Sequence, residues 1–190
     1  MLEMNAMPET PENRLIQFYL KEYQTLKEEQ RARIGFRDNL VYVTLVAIGG
    51  ILSYALTNGA NLSVLLVLPV VCFVLGWTYL VNDEKVSAIG KYIRTTLFDR
   101  VRELTREPDI NVFGWEVAHR SDKRRVRRKL TQLFVDEVTF VGVAGIALLA
   151  FLRLAPVISS LLYGIVIAEF VLLVLLFVEI LVHSDYKMGR

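Results

Sequence analysis

VISSLLYGIVIAEFVLLVLLFVEILV, from Val157 to Val182, decides the fold. Of its 26 residues, 19 are Val, Ile, Leu or Phe, and only Glu169 and Glu179 ionise. A bilayer core is about 30 Å thick and a helix rises about 1.5 Å per residue, so about 20 such residues cross it. A chain carrying this stretch is expected to be a membrane protein. Its other apolar blocks are weighed accordingly.

Upstream, Val138–Leu152 is shorter, but the tight link Arg153-Leu154-Ala155-Pro156 joins it to the long stretch and makes the two a hairpin. Leu40–Leu56 and Leu62–Val81, joined by the turn-forming TNGAN, make another. Pro69 inside the second of these spans is expected to kink it or free a carbonyl. Trp77 and Tyr79 suit a headgroup boundary. The fold class is therefore all-α, with four transmembrane helices as two hairpins (residues 40–81 and 136–182). Three cytoplasmic segments flank them: 1–39, 82–135 and 183–190.

Composition agrees. Hydrophobic residues make up 54% of the chain and mean hydropathy is +0.41, yet 22% of residues are charged, as apolar spans between charged segments require. The charge is lopsided. Residues 1–39 hold 6 Lys or Arg, 82–135 hold 13 and 183–190 hold 2, leaving only Arg153 in the short links. Cationic loops stay inside, so both termini are placed in the cytoplasm of a bacterial inner-membrane protein. The N-terminal MLEMNAMPETPEN lacks a signal-peptide pattern and is expected to be retained.

The cytoplasmic segments have helical periodicity. Thr10-Pro11-Glu12 is a helix start, and Leu15, Tyr19, Tyr23 and Leu26 form one stripe. Val86, Ile89, Ile93, Leu97, Val101 and Leu104 form a second, ended by Pro108. Phe113 and Trp115 mark a connector, and Ser121 caps a third helix, SDKRRVRRKLTQLF. A weak internal repeat pairs Asp38 with Asp136, Tyr42 with Phe140 and Ile48 with Ile146, from either duplication or convergence.

Glu169 is the sharpest candidate site. It lies about 18 Å along its span, close to the midplane, where a charge costs about 3 kcal/mol. It must avoid lipid by protonating or by finding a donor such as Thr44, Tyr42, Thr78 or Tyr54. One reading is a proton or cation relay or a pore lining; the plainer one is a carboxyl that holds helices in register. Small residues suggest close helix packing, within the hairpins or between copies: Gly49 and Gly50, Gly142 and Gly145, and Ser160, Gly164 and Ala168 at spacings of four. Lys123, Arg124, Arg125, Arg127, Arg128 and Lys129 form a basic run expected to contact anionic headgroups; without a Gly-rich loop or interleaved aromatics it does not indicate nucleic acid.

Catalysis has no visible home. There is no nucleophile–base pair, no HExxH and no P-loop, one cysteine excludes an internal disulfide, and no metal or other cofactor is expected. KEEQRARIGFRDN entering the first span and DKRRVRRKLTQLF entering the third give a layout that resembles the SLATT-type small bacterial membrane proteins. That resemblance rests on layout, with no residue carried over, and the second hairpin exceeds the two-span minimum. It implies a pore-forming or membrane-perturbing effector linked to nucleotide-signalled defence. The expected function is a non-enzymatic, oligomeric scaffold or pore with a cytoplasmic stalk. The alternatives are a small transporter using Glu169 and an anchor recruiting a cytosolic partner through residues 82–135.

Overall fold

The computed structural model describes residues 10–57, 61–105 and 125–183, and every regular element among them is helical. Helix α1 is Pro11–Ala55; a 3-10 turn, Leu62–Leu66, leads into α2, Val67–Tyr92. A π-helical turn, Ile93–Leu97, precedes α3, Phe98–Thr105. After the next gap come α4, Arg125–Glu137, a second π-helical turn, Val138–Gly142, α5, Val143–Leu154, and α6, Ser160–His183. Four helical runs are long and apolar enough to cross a membrane: Pro11–Ala55, Leu62–Thr105, Arg127–Leu154 and Ser160–His183. Pro108, Phe113, Trp115, Ser121 and the tails lie outside the described residues.

Local chemistry sets the ends. Thr10 Oγ1 accepts from the Asn13 amide at 3.2 Å, as its place before Pro11 predicts. Asn61 Oδ1 accepts from Ser63 N at 2.9 Å and opens the 3-10 turn. Pro69 is the third residue of α2, in the first turn after the 3-10 segment. It therefore marks the change from 3-10 to α geometry instead of kinking the middle of a span. Pro156 and the Ser159 cap delay α6 to Ser160, three residues after the apolar stretch begins.

The chain divides into two compact units, Met1–Ile34 with Lys85–Asp122, and Gly35–Glu84 with Lys123–Arg190. In the first, all six residues of the stripe from Val86 to Leu104 turn inward, and Ile93 and Leu97 are fully buried. On α1 the inward stripe starts at Ile16; Leu15 is exposed, because a helix that buries Tyr19 and Tyr23 at spacings of four reaches Ile16 at the next turn back. The helices meet closely at Gly90, where an added Cβ would lie 3.1 Å from Arg94 Nη1 and 3.3 Å from Gln30 Nε2. Gln30 Nε2 donates to the Val86 carbonyl at 3.2 Å, and Tyr92 Oη donates to Glu22 Oε1 at 2.7 Å.

The second unit has two core clusters. Ile48, Leu65, Leu66, Leu68, Cys72, Ala144, Ala147, Leu148, Phe151, Val166 and Leu173 form one. Leu40, Tyr79, Phe140, Leu176 and Ile180 form the other. The internal repeat does not carry over to burial. Asp136 and Phe140 are buried where Asp38 and Tyr42 are exposed, and Ile48 is buried where Ile146 is exposed. The buried positions instead match at a spacing of one hundred residues: Leu40 with Phe140, Thr44 with Ala144, Ile48 with Leu148.

Candidate functional site

Glu169 sits on the inward face of α6 with Val166, Leu173, Leu176 and Ile180, a succession of threes and fours that turns one stripe of the helix to the core. It is 5% exposed. None of the four donors suggested by the sequence is seen to serve it. Thr44 Oγ1 donates to the Leu40 carbonyl at 2.7 Å and Thr78 Oγ1 to the Val74 carbonyl at 2.8 Å, each within its own helix. Tyr42 and Tyr54 face outward. Glu169 Oε2 is buried with no hydrogen-bond partner. A buried oxygen of this kind lacks the donor that would offset its desolvation. Glu179 lies one turn from the end of the same helix and bonds His183 Nδ1 at 3.1 Å, a half-exposed pair.

The small residues singled out by spacing face away from the core. A Cβ added to Gly49, Gly50, Gly145 or Gly164 would meet nothing within 4 Å, and one on Gly142 would meet only its own backbone, Glu137 O at 3.6 Å. Ser160, Gly164 and Ala168 are exposed. Within this chain, then, their smallness serves no helix contact. The glycine that does is Gly76 on α2, where a Cβ would stand 2.9 Å from Leu176 Cδ2 and 3.1 Å from both Cβ and Cγ of Phe140. Gly76 has no small neighbour at a spacing of four to signal it; its contact is with bulky residues far along the chain.

Of the basic run, Lys123 and Arg124 lie outside the described residues and Arg125 opens α4. Arg127 and Arg128 are exposed and Lys129 is half-buried.

A cluster at the other end of the second unit escaped the sequence reading. Gln132 Nε2 on α4 donates to Tyr79 Oη on α2 and to Asp136 Oδ1, both at 2.8 Å. Arg37 Nη1 on α1 donates to Asp83 Oδ1 on α2 at 2.6 Å, and the guanidinium carbon lies 5.8 Å from the centroid of the Tyr79 ring. Tyr79 is thus buried and bonded, where a headgroup position was expected; Trp77 is half-exposed. Asp136 is 8% exposed, and next to it both carboxylate oxygens of Glu137 are buried without a partner.

No group of three or more His, Cys, Asp or Glu among the described residues is arranged to hold a metal ion. Compared with known proteins, the chain matches no family model, no curated protein and no solved structure.

Proposed function

We propose that the chain is a non-enzymatic integral membrane protein that assembles through its spanning helices into an oligomeric scaffold or pore, with its charged helices as a cytoplasmic stalk. The observation that carries this is the unused small-residue surface. Gly49, Gly50, Gly145 and Gly164 are helical glycines open to the outside, and each costs helix stability without packing against anything in its own chain. Contact with a second copy is what such positions permit in a bilayer.

The two core clusters support an alternating path of the four spans. Leu40, Tyr79, Phe140 and Ile180 share one cluster, and Ile48, Leu66, Phe151 and Val166 the other. Consecutive spans then run in opposite directions as two hairpins. With the basic residues inside, both termini are cytoplasmic and Arg127, Arg128 and Lys129 stand at an anionic inner leaflet. The test is mass in detergent and conductance in planar bilayers. Multimers that fall to monomers in a Gly164→Leu, Gly49→Leu variant of unchanged helicity are expected; a clean monomer without conductance defeats the reading.

The unpartnered oxygen of Glu169 favours a second reading, a proton-coupled transporter with Glu169 as the proton carrier. Glu169→Gln is then expected to abolish proton-coupled flux in liposomes, and unchanged flux removes this reading.

A further inference from the structure

Toward its C-terminal end, α4 is inverted with respect to water. Leu130, Phe134 and Val138 follow at spacings of four, which puts them on one face, and they are 45%, 68% and 45% exposed. The polar residues among them turn the other way. Asp136 and Thr139 are buried, and Gln132 is bonded to Tyr79 of α2. From Leu130 to Leu152 no exposed residue ionises. A helix bathed by water would carry its charges outside and its leucines within. This face suits a hydrocarbon surround, and it begins about two turns before Val138, where the apolar run of the sequence starts.

The stripe ends in a cation. Arg127 is exposed and stands seven residues before Phe134, which returns it to the same face about 10 Å along the axis. Side chains lean toward the N-terminus of their helix, so Arg127 leans away from Phe134. A guanidinium so placed can meet a phosphate while its methylenes stay beside the apolar stripe. Arg128, the next residue, is exposed as well.

We propose that the outward face of α4 seats an anionic phospholipid, its phosphate at Arg127 and an acyl chain along Leu130, Phe134 and Val138. This rests on the reading that puts the basic residues at the inner leaflet, and it needs neither an oligomer nor a pore. Charge complementarity selects the occupant. A second copy packed face to face on this stripe in the same bilayer would set Arg127 beside Arg127, and a free phosphate would leave the stripe bare. A lipid satisfies both ends at once.

The test is the quenching of a single tryptophan by brominated lipid in the full chain. Trp77 and Trp115 are replaced by Phe, Phe134→Trp is added, and the protein is reconstituted in vesicles of phosphatidylglycerol and phosphatidylcholine in equal parts. Bromine is carried on the acyl chains of one lipid or the other; it quenches by contact, so the two measurements together report which lipid covers the site. Val46→Trp in the same background, on the outward face of α1, is the reference for bulk lipid. The relative affinity for phosphatidylglycerol at Phe134→Trp is expected to be at least about fivefold that at Val46→Trp. Arg127→Gln is expected to lower it about fivefold, the share of one cation near the surface, and Arg127→Lys to keep most of it. Should Phe134→Trp fail to fold, Leu130→Trp on the same stripe gives the same measurements. Quenching at Val46→Trp but not at Phe134→Trp means that protein covers the stripe, and it overturns the seat while leaving the membrane reading intact. Equal quenching by both lipids at Phe134→Trp, or a preference that survives Arg127→Gln, also overturns the seat alone. No quenching at either position defeats the membrane reading and the seat with it.

Discussion

Replacing Gly76 with alanine puts a methyl group where α2, α6 and the second π-helical turn meet. The added carbon would lie 2.9 Å from Leu176 Cδ2 and 3.1 Å from Phe140 Cβ and Cγ. Leu176 can swing its methyl aside. Phe140 cannot, because its Cβ is one bond from the backbone and its ring is fully buried, 5.2 Å from that of Tyr79. Carbon contacts settle at about 3.5–4.0 Å, so the π-turn must retreat by about half an ångström. Overpacking of this kind costs about 1–3 kcal/mol, while exchanging glycine for alanine within a helix returns about 1 kcal/mol. Gly49→Ala is the matched control, since an added methyl there meets nothing within 4 Å and collects the helical gain alone. The two variants are expected to differ by about 2 kcal/mol, or about 4–8 °C in Tm for a chain of this size. Thermal unfolding in detergent, followed by circular dichroism, measures it. A Gly76→Ala protein that melts with or above Gly49→Ala would show that the close approach of these helices is not a constraint.

Further expectations concern charge, backbone and topology. Arg37→Ala removes the ion pair to the partly exposed Asp83 and is expected to cost about 1 kcal/mol or less, which a denaturant titration will read, while Arg37→Lys restores only part. Pro69→Ala is expected to cost under about 1 kcal/mol, because the ring sits in a first turn; a loss of several would restore a mid-helix role. A reporter that is active only in the cytoplasm, fused after Arg190, is expected to work; silence there reverses the assigned orientation.

Much of the helical layout was legible because it depends on composition and period. The stripe from Val86 to Leu104 announces itself at spacings of three and four, and the apolar run in α6 needs no partner to be identified. The site was less legible, for two physical reasons. In a bilayer both faces of a span are apolar, so hydrophobicity does not tell Gly76, packed against Phe140, from Gly164, open to the outside. Inward and outward are then set by contacts between distant residues, and a local pattern such as Ser160, Gly164 and Ala168 cannot supply them. Polar residues at the end of a span also resemble a solvated boundary. Tyr79 looked like a headgroup anchor until Gln132, 53 residues away, was seen bonded to it. Glu169 shows the intermediate case: its depth followed from counting, but the absence of a donor for its second oxygen required all four spans in place.

The π-helical turn at Val138–Gly142 gives this protein an unusual tolerance. Its hydrogen bonds reach five residues back where an α-helix reaches four, so this coil of backbone carries one amino acid more than an ordinary turn uses. Deleting a single codon within a regular α-helical stretch would rotate everything beyond it by about a quarter-turn and carry core side chains to the outer face. Here the same deletion can be absorbed, the loop of backbone tightening to α geometry while Ala144, Ala147 and Phe151 keep their bearing. Shortened relatives that lose a residue between Val138 and Gly142 would thus remain foldable, and the segment is a natural place for the gene to vary in length.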